Sequence, residues 1–157
     1  MSLTPQAGIM NIALYEGGKS SIAGHSDVLK LSSNENPLGP PPAAMAAIAQ
    51  AASEVHRYPS TDHAELRAAI GKTYGLAPEQ IICGVGSDEV LQFVCQAYAG
   101  AGDEIIYTEH GFSMYPILAH MAGATPVQVA EAERVVSVDT ILAAVTERTR
   151  VVMLANP

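Results

Sequence analysis

The chain has 157 residues, 48% of them hydrophobic and 15% charged, and a formal net charge of −8. That length and apolar share suit one domain with a real core and exclude the disordered class, while the acidic surplus argues against a nucleic acid or an anionic membrane as partner. No apolar run approaches a membrane span, and Cys83 and Cys95, with no CxxC pair and no His at metal-ligand spacing, read as reduced core residues of a cytoplasmic protein.

Residues 4–33 show little periodicity, and Gly17, Gly18 and Gly24 interrupt any helix early, so residues 1–33 read as an N-terminal arm. Tyr15 in this arm is either a ligand contact or an exposed tyrosine packing on a neighbouring subunit. Leu29 and Leu31 alternate with polar residues as a short extended piece. Three prolines end it, and a helix is expected from Pro42 to about Ser53 with Met45, Ile48 and Ala52 on one stripe. Residues 55–59 are expected to be extended before Pro59. Asp62 and Glu65 form a capping-box pattern for a helix carrying Leu66, Ala69, Ile70 and Tyr74, which Gly75 ends.

Residues 81–83 then read as a short buried strand, followed by a turn containing Gly84 and Gly86 and a helix that opens at Ser87 or Asp88 and runs to Ala99. A strand, a tight turn and a helix N-terminus aim unpaired backbone N–H groups and the positive end of a helix dipole at one point, which suits a phosphate or carboxylate. There is no P-loop lysine and no GxGxxG spacing, so the turn suits one phosphate rather than a pyrophosphate. A plain tight connection is the competing reading. Further on, residues 104–109, 125–129 and 150–154 read as strands, with helices from Ser113 past Pro116 and from Val138 to Val145. The fold class is therefore α/β, a mainly parallel sheet with helices on both faces. Ligands of such sheets bind at the carboxyl ends of the strands, where the 84–88 turn, the 110–113 loop and Asn156 are expected.

With these pieces placed, the sequence resembles the PLP-dependent aminotransferases of fold type I, class I/II, most closely the histidinol-phosphate aminotransferases. The resemblance rests on Leu31-Ser32-Ser33-Asn34-Glu35-Asn36-Pro37, Arg57-Tyr58-Pro59, Gly86-Ser87-Asp88-Glu89, Gly111-Phe112-Ser113-Met114-Tyr115 and the closing Ala155-Asn156-Pro157, in that order. It implies that residues 34–157 are the first part of a PLP-binding large domain. It further implies that Gly86, Ser87 and Asp88 hold the phosphate of pyridoxal 5′-phosphate, and that Phe112 stacks on its ring in place of the family's frequent tyrosine. Tyr58 would reach the partner subunit's cofactor in a homodimer, and Tyr15, Glu35 and Asn36 would line the substrate pocket. Asp88 is kept as a backbone donor and cap, and His110 as an ordinary loop histidine.

The resemblance implies transfer of an amino group between L-histidinol phosphate and 2-oxoglutarate, in histidine biosynthesis. That chemistry needs a lysine to hold the cofactor and shuttle a proton, and Lys19, Lys30 and Lys72 stand in no such context. The chain is therefore expected to continue beyond Pro157, to the lysine, the aspartate for the ring nitrogen and the arginine for the substrate's anionic group. The alternatives are an aromatic aminotransferase or threonine-phosphate decarboxylase of the same fold type, and, in a different class, a non-catalytic phosphate-binding or dimerising module.

Overall fold

A computed structural model describes residues 3–15, 19, 21–26, 28–30 and 35–156. The motif residues Leu31, Ser32, Ser33, Asn34 and Pro157 lie outside the described residues. The chain divides into two compact units, one of Met1–Tyr15 with Ile82–Pro157 and one of Glu16–Ile81.

In the second unit, helix α1 (Pro42–Ala51) continues as a 3₁₀ turn over Ala52–Glu54, and helix α2 (Ala64–Tyr74) ends at Gly75, whose φ of 70° lets the Leu76 amide return to the Gly71 carbonyl at 3.0 Å. Two expectations need correction here. Val55 is helical rather than extended, because the 3₁₀ turn carries the chain on. The capping box at Asp62 and Glu65 does not form. His63 takes the N-cap position in a left-handed conformation, so Asp62 stands one residue too early and accepts instead from the Ala64 amide at 3.2 Å. The apolar stripe of α1 remains exposed, Met45 by 51% and Ile48 by 63%, since a stripe is buried only against a facing surface.

The first unit holds the sheet. Strands β1 (Glu104–Thr108), β2 (Thr125–Val129) and β3 (Thr149–Met153) are parallel in the order β2-β1-β3. Helix α3 (Ser87–Tyr98) precedes β1, α4 (Met114–Met121) joins β1 to β2, and α5 (Val138–Ala144) joins β2 to β3. Successive residues of a strand point to opposite faces, and β1 uses both. Ile105 is fully buried with Cys95, Tyr115, Leu118, Ala119, Ala124 and Met153, while Ile106 is fully buried with Val129 and Ile141. Each of these two isoleucines removed from water contributes about 1.5–3 kcal/mol. The helices thus cover both faces, as the alternating pattern predicts.

The expected strand at residues 81–83 is absent. Ile81 is extended, with φ −109° and ψ 128°, yet no described strand lies beside it and Ile82 is 70% exposed, so there is no ladder to join. Among the described residues no helix is long and apolar enough to cross a membrane.

Candidate functional site

The turn before α3 has two glycines with different tasks. Gly86 is the N-cap, and its φ of 129° with ψ of 173° is a conformation open essentially to glycine alone. A side-chain carbon on it would meet nothing within 4 Å, so the requirement is conformational and the space before the turn stays open. Gly84 leaves room for the Glu89 side chain as it is placed: a Cβ there would lie 2.7 Å from Glu89 Oε2, so the carboxylate would have to shift. Glu89 folds back over the turn and accepts the Val85 amide at 2.7 Å. No side chain caps the helix at Gly86, and the amides of Ser87 and Asp88 fall in the first turn, where the helix itself offers no acceptor. The turn therefore presents backbone donors to an anion at the positive end of a twelve-residue helix dipole. Gly86, Ser87 and Asp88 are all exposed.

Because α3 leads into the amino end of β1, it runs back along the sheet and its N-terminus lies at the carboxyl edge. Leu91, one turn into α3, packs against the same core as Phe112, Tyr107 and Ala155. Phe112 lies in the loop that follows β1. Its ring meets Tyr115 edge to face, with centroids 5.9 Å apart at 87°, and the Tyr115 hydroxyl donates to the Leu154 carbonyl at 3.4 Å. Chain order in a parallel sheet therefore puts the donor turn and the aromatic on the carboxyl side of the strands, within one unit. Ser113 stands at the N-cap of α4, yet its side chain makes no capping bond. Its φ of −60° and ψ of −16° are already helical rather than the extended values of a capping residue.

The 110–113 loop has an anchor that sequence reading missed. His110 is no ordinary loop histidine: its amide donates to Glu131 Oε1 at 3.2 Å, and its Nδ1 lies 2.9 Å from Glu131 Oε2. The Glu131 side chain is only 4% exposed. Burial pushes its carboxyl up, but hydrogen bonds from the Thr108 side chain and from the amide and ring of His110 outweigh this and hold it below the ordinary carboxylate range. The signal, a carboxylate 21 residues away, exists only once β1 and β2 are paired.

The other expected site residues fall in both units. Tyr15 lines an open groove of about 480 Å³ with Met114 and Ile117, which brings it to the start of α4. Tyr58, Glu35 and Asn36 belong to the other unit. Tyr58 is fully exposed, Glu35 pairs with Lys30 at 2.7 Å, and Asn36 Oδ1 accepts the Leu38 amide at 2.9 Å. Among the described residues no cluster of His, Cys, Asp and Glu could hold a metal ion.

The model of the family "Aminotransferase class I and II" matches residues 26–157. The chain belongs to this aminotransferase family. It is 73% identical over 154 residues to a histidinol-phosphate aminotransferase of Ruegeria pomeroyi, a match that covers 98% of this chain and 43% of that protein. A histidinol-phosphate aminotransferase of Dinoroseobacter shibae is 66% identical over 155 residues, with 99% and 43% covered. Among solved structures, the histidinol-phosphate aminotransferase of Sinorhizobium meliloti in complex with pyridoxal-5′-phosphate superimposes with a TM-score of 0.66 at 27% identity, over 71% of this chain and 30% of that one. The α/β fold is that of the fold type I aminotransferases, as the sequence predicts. The chain spans 43% of the length of the curated relatives it matches.

Proposed function

We propose that the protein carrying this chain is a transaminase that moves an amino group between L-histidinol phosphate and 2-oxoglutarate with pyridoxal 5′-phosphate, in histidine biosynthesis in the cytoplasm, and that it works as a homodimer. The observation that carries this reading is the uncapped helix start behind Gly86, on a helix that packs against the same core as the aromatic Phe112. The residues present fit the cofactor. The open space before Gly86 admits a phosphate where a Cβ would otherwise project, and the amides of Gly86, Ser87 and Asp88 supply neutral donors for it. The Ser87 hydroxyl adds a further donor. Phe112 offers a ring face to stack on, without a hydroxyl to donate. When bound, the cofactor supplies an electron-withdrawing ring that stabilises negative charge at the substrate carbon.

In this reading Tyr58 reaches the cofactor phosphate of the partner subunit, and its full exposure leaves it available to do so. Tyr15, Glu35 and Asn36 contact the substrate. Residues 1–33 form an arm, and residues 34–157 contribute the phosphate cup and stacking aromatic of the large domain. The substrate assignment rests on the names of the similar proteins from Ruegeria pomeroyi and Dinoroseobacter shibae.

The test is intact-mass measurement of the full-length protein after incubation with pyridoxal 5′-phosphate and borohydride reduction, followed by amino-transfer assays. One added pyridoxyl group per chain, with faster transfer from L-histidinol phosphate than from phenylalanine, is expected. No specific adduct would sink the cofactor reading, and a preference for phenylalanine would move the protein to the aromatic aminotransferases.

A further inference from the structure

Phe112 can act on a cofactor ring only if its loop is held still, and the structure shows what holds it. On one side, Phe112 rests edge-on against the buried Tyr115. On the other, a single residue separates it from His110, whose amide and ring are both bound by the Glu131 carboxylate at 3.2 and 2.9 Å. That intervening residue has no freedom either. The Gly111 amide donates to the Thr108 carbonyl at 2.9 Å, and a Cβ on Gly111 would lie 3.0 Å from that oxygen and 3.2 Å from the Tyr115 ring.

Glu131 is itself aimed from two directions. Its amide donates to Glu109 Oε2 at 3.3 Å, and the chain after it closes at once into a hairpin, bridged between Ala132 and Val135. Glu133 and Arg134 at the tip have φ of 53° and 63°, a pair of left-handed conformations that hairpin turns normally give to Asn and Gly. Side chains persist in such backbone only where their surroundings dictate it. The result is a carboxylate carried by the connection after β2 and committed to the loop after β1.

We propose that Glu131 is a positioning residue for the cofactor ring: by clamping His110 through both its amide and its ring, it fixes the loop that presents Phe112. It thereby sets the affinity for the ring separately from the affinity for the phosphate. The proposal rests on Phe112 being the ring-stacking residue. Glu131 touches neither the donor turn at residues 84–88 nor α3 in any hydrogen bond or ion pair among the described residues, so removing it should leave the phosphate cup intact.

The experiment measures, on the full-length apoprotein, equilibrium binding of pyridoxal 5′-phosphate, the inhibition constant of inorganic phosphate as its competitor, and the absorption band of the bound cofactor. Glu131→Ala is expected to weaken pyridoxal 5′-phosphate about tenfold, the scale of one aromatic stacking contact. It should shift the band and leave the phosphate constant unchanged. Glu131→Gln keeps a carbonyl acceptor for the His110 amide and is expected to recover most of the loss. His110→Ala removes only the ring half of the clamp. It is expected to cost about threefold with the same sparing of phosphate, which decides the matter if Glu131→Ala does not fold. An unchanged cofactor affinity in these variants, or equal losses for cofactor and phosphate, would overturn the proposal. If the unsubstituted protein bound neither ligand, the reading of the site as a cofactor cup would fail instead.

Discussion

One face of β1 ends in a carboxylate at each pole, and the two are satisfied in different ways. At the amino end, Glu104 receives the Thr146 hydroxyl at 2.6 Å and the Arg148 guanidinium, both from the turn that leads into β3. At the carboxyl end, Glu131 stands beside Thr108 and receives a backbone amide and an imidazole from a loop. Between them lies Ile106, fully buried against Val129 and Ile141. Both carboxyls are held below their ordinary range, Glu104 by hydrogen bonds from Thr146 and then Arg148, Glu131 by hydrogen bonds that outweigh its burial. Yet only one lies where a ligand of a parallel sheet would bind. The same chemistry secures strand pairing at one edge and loop position at the other.

The largest expected effect lies midway between the two. Ile106→Ala should destabilise the protein by about 2–5 kcal/mol, read from its urea midpoint, because the cavity would open between β1, β2 and α5. A loss under about 1 kcal/mol would mean that this face is not packed as described and that the two poles do not share a core.

A smaller effect separates the poles. Glu104→Gln should lower the urea midpoint at neutral pH and leave cofactor binding untouched. If cofactor affinity fell with it, the division between a structural and a positioning carboxylate would be broken. A carboxyl whose folded value is depressed adds stability above its ordinary value of 4.5 and loses it as the pH falls through the lower folded value. Unfolding curves collected below pH 4.5 should therefore show the unsubstituted protein converging on Glu104→Gln.

The smallest effect concerns the hairpin that aims Glu131. Glu133→Asn together with Arg134→Gly matches the turn to its left-handed backbone and should raise stability by up to about 1 kcal/mol. If Glu131 is aimed by that turn, cofactor affinity should hold or rise. A fall in affinity would place the aiming elsewhere.

The elements of the first unit were largely legible from the sequence. Residues 125–129 match β2 end to end, and the α3 helix begins where Gly86 and Ser87 said it would, because local periodicity and glycine punctuation carry that information. The strand expected at residues 81–83 fails for the opposite reason: extended propensity is local, but a ladder requires a partner. Gly86 and Phe112 could be read from motifs, whereas Glu131 could not. Its significance comes from the pairing of β1 with β2, which sets it against a residue 21 positions earlier. The folded-back Glu89 is an intermediate case. A Glu at the third helical position is a familiar capping sign, but that it selects the Val85 amide and folds over Gly84 became visible only in three dimensions.

The burial of Cys95 has a practical corollary. This thiol is fully enclosed in the middle of α3, and burial pushes its pKa up, so it is a poor nucleophile toward alkylating reagents. Cys83 is only half-buried and stands three residues before Gly86. Of the two thiols in this chain, the more accessible one stands beside the donor turn, where a fluorophore attached to it would test whether a ligand arrives there.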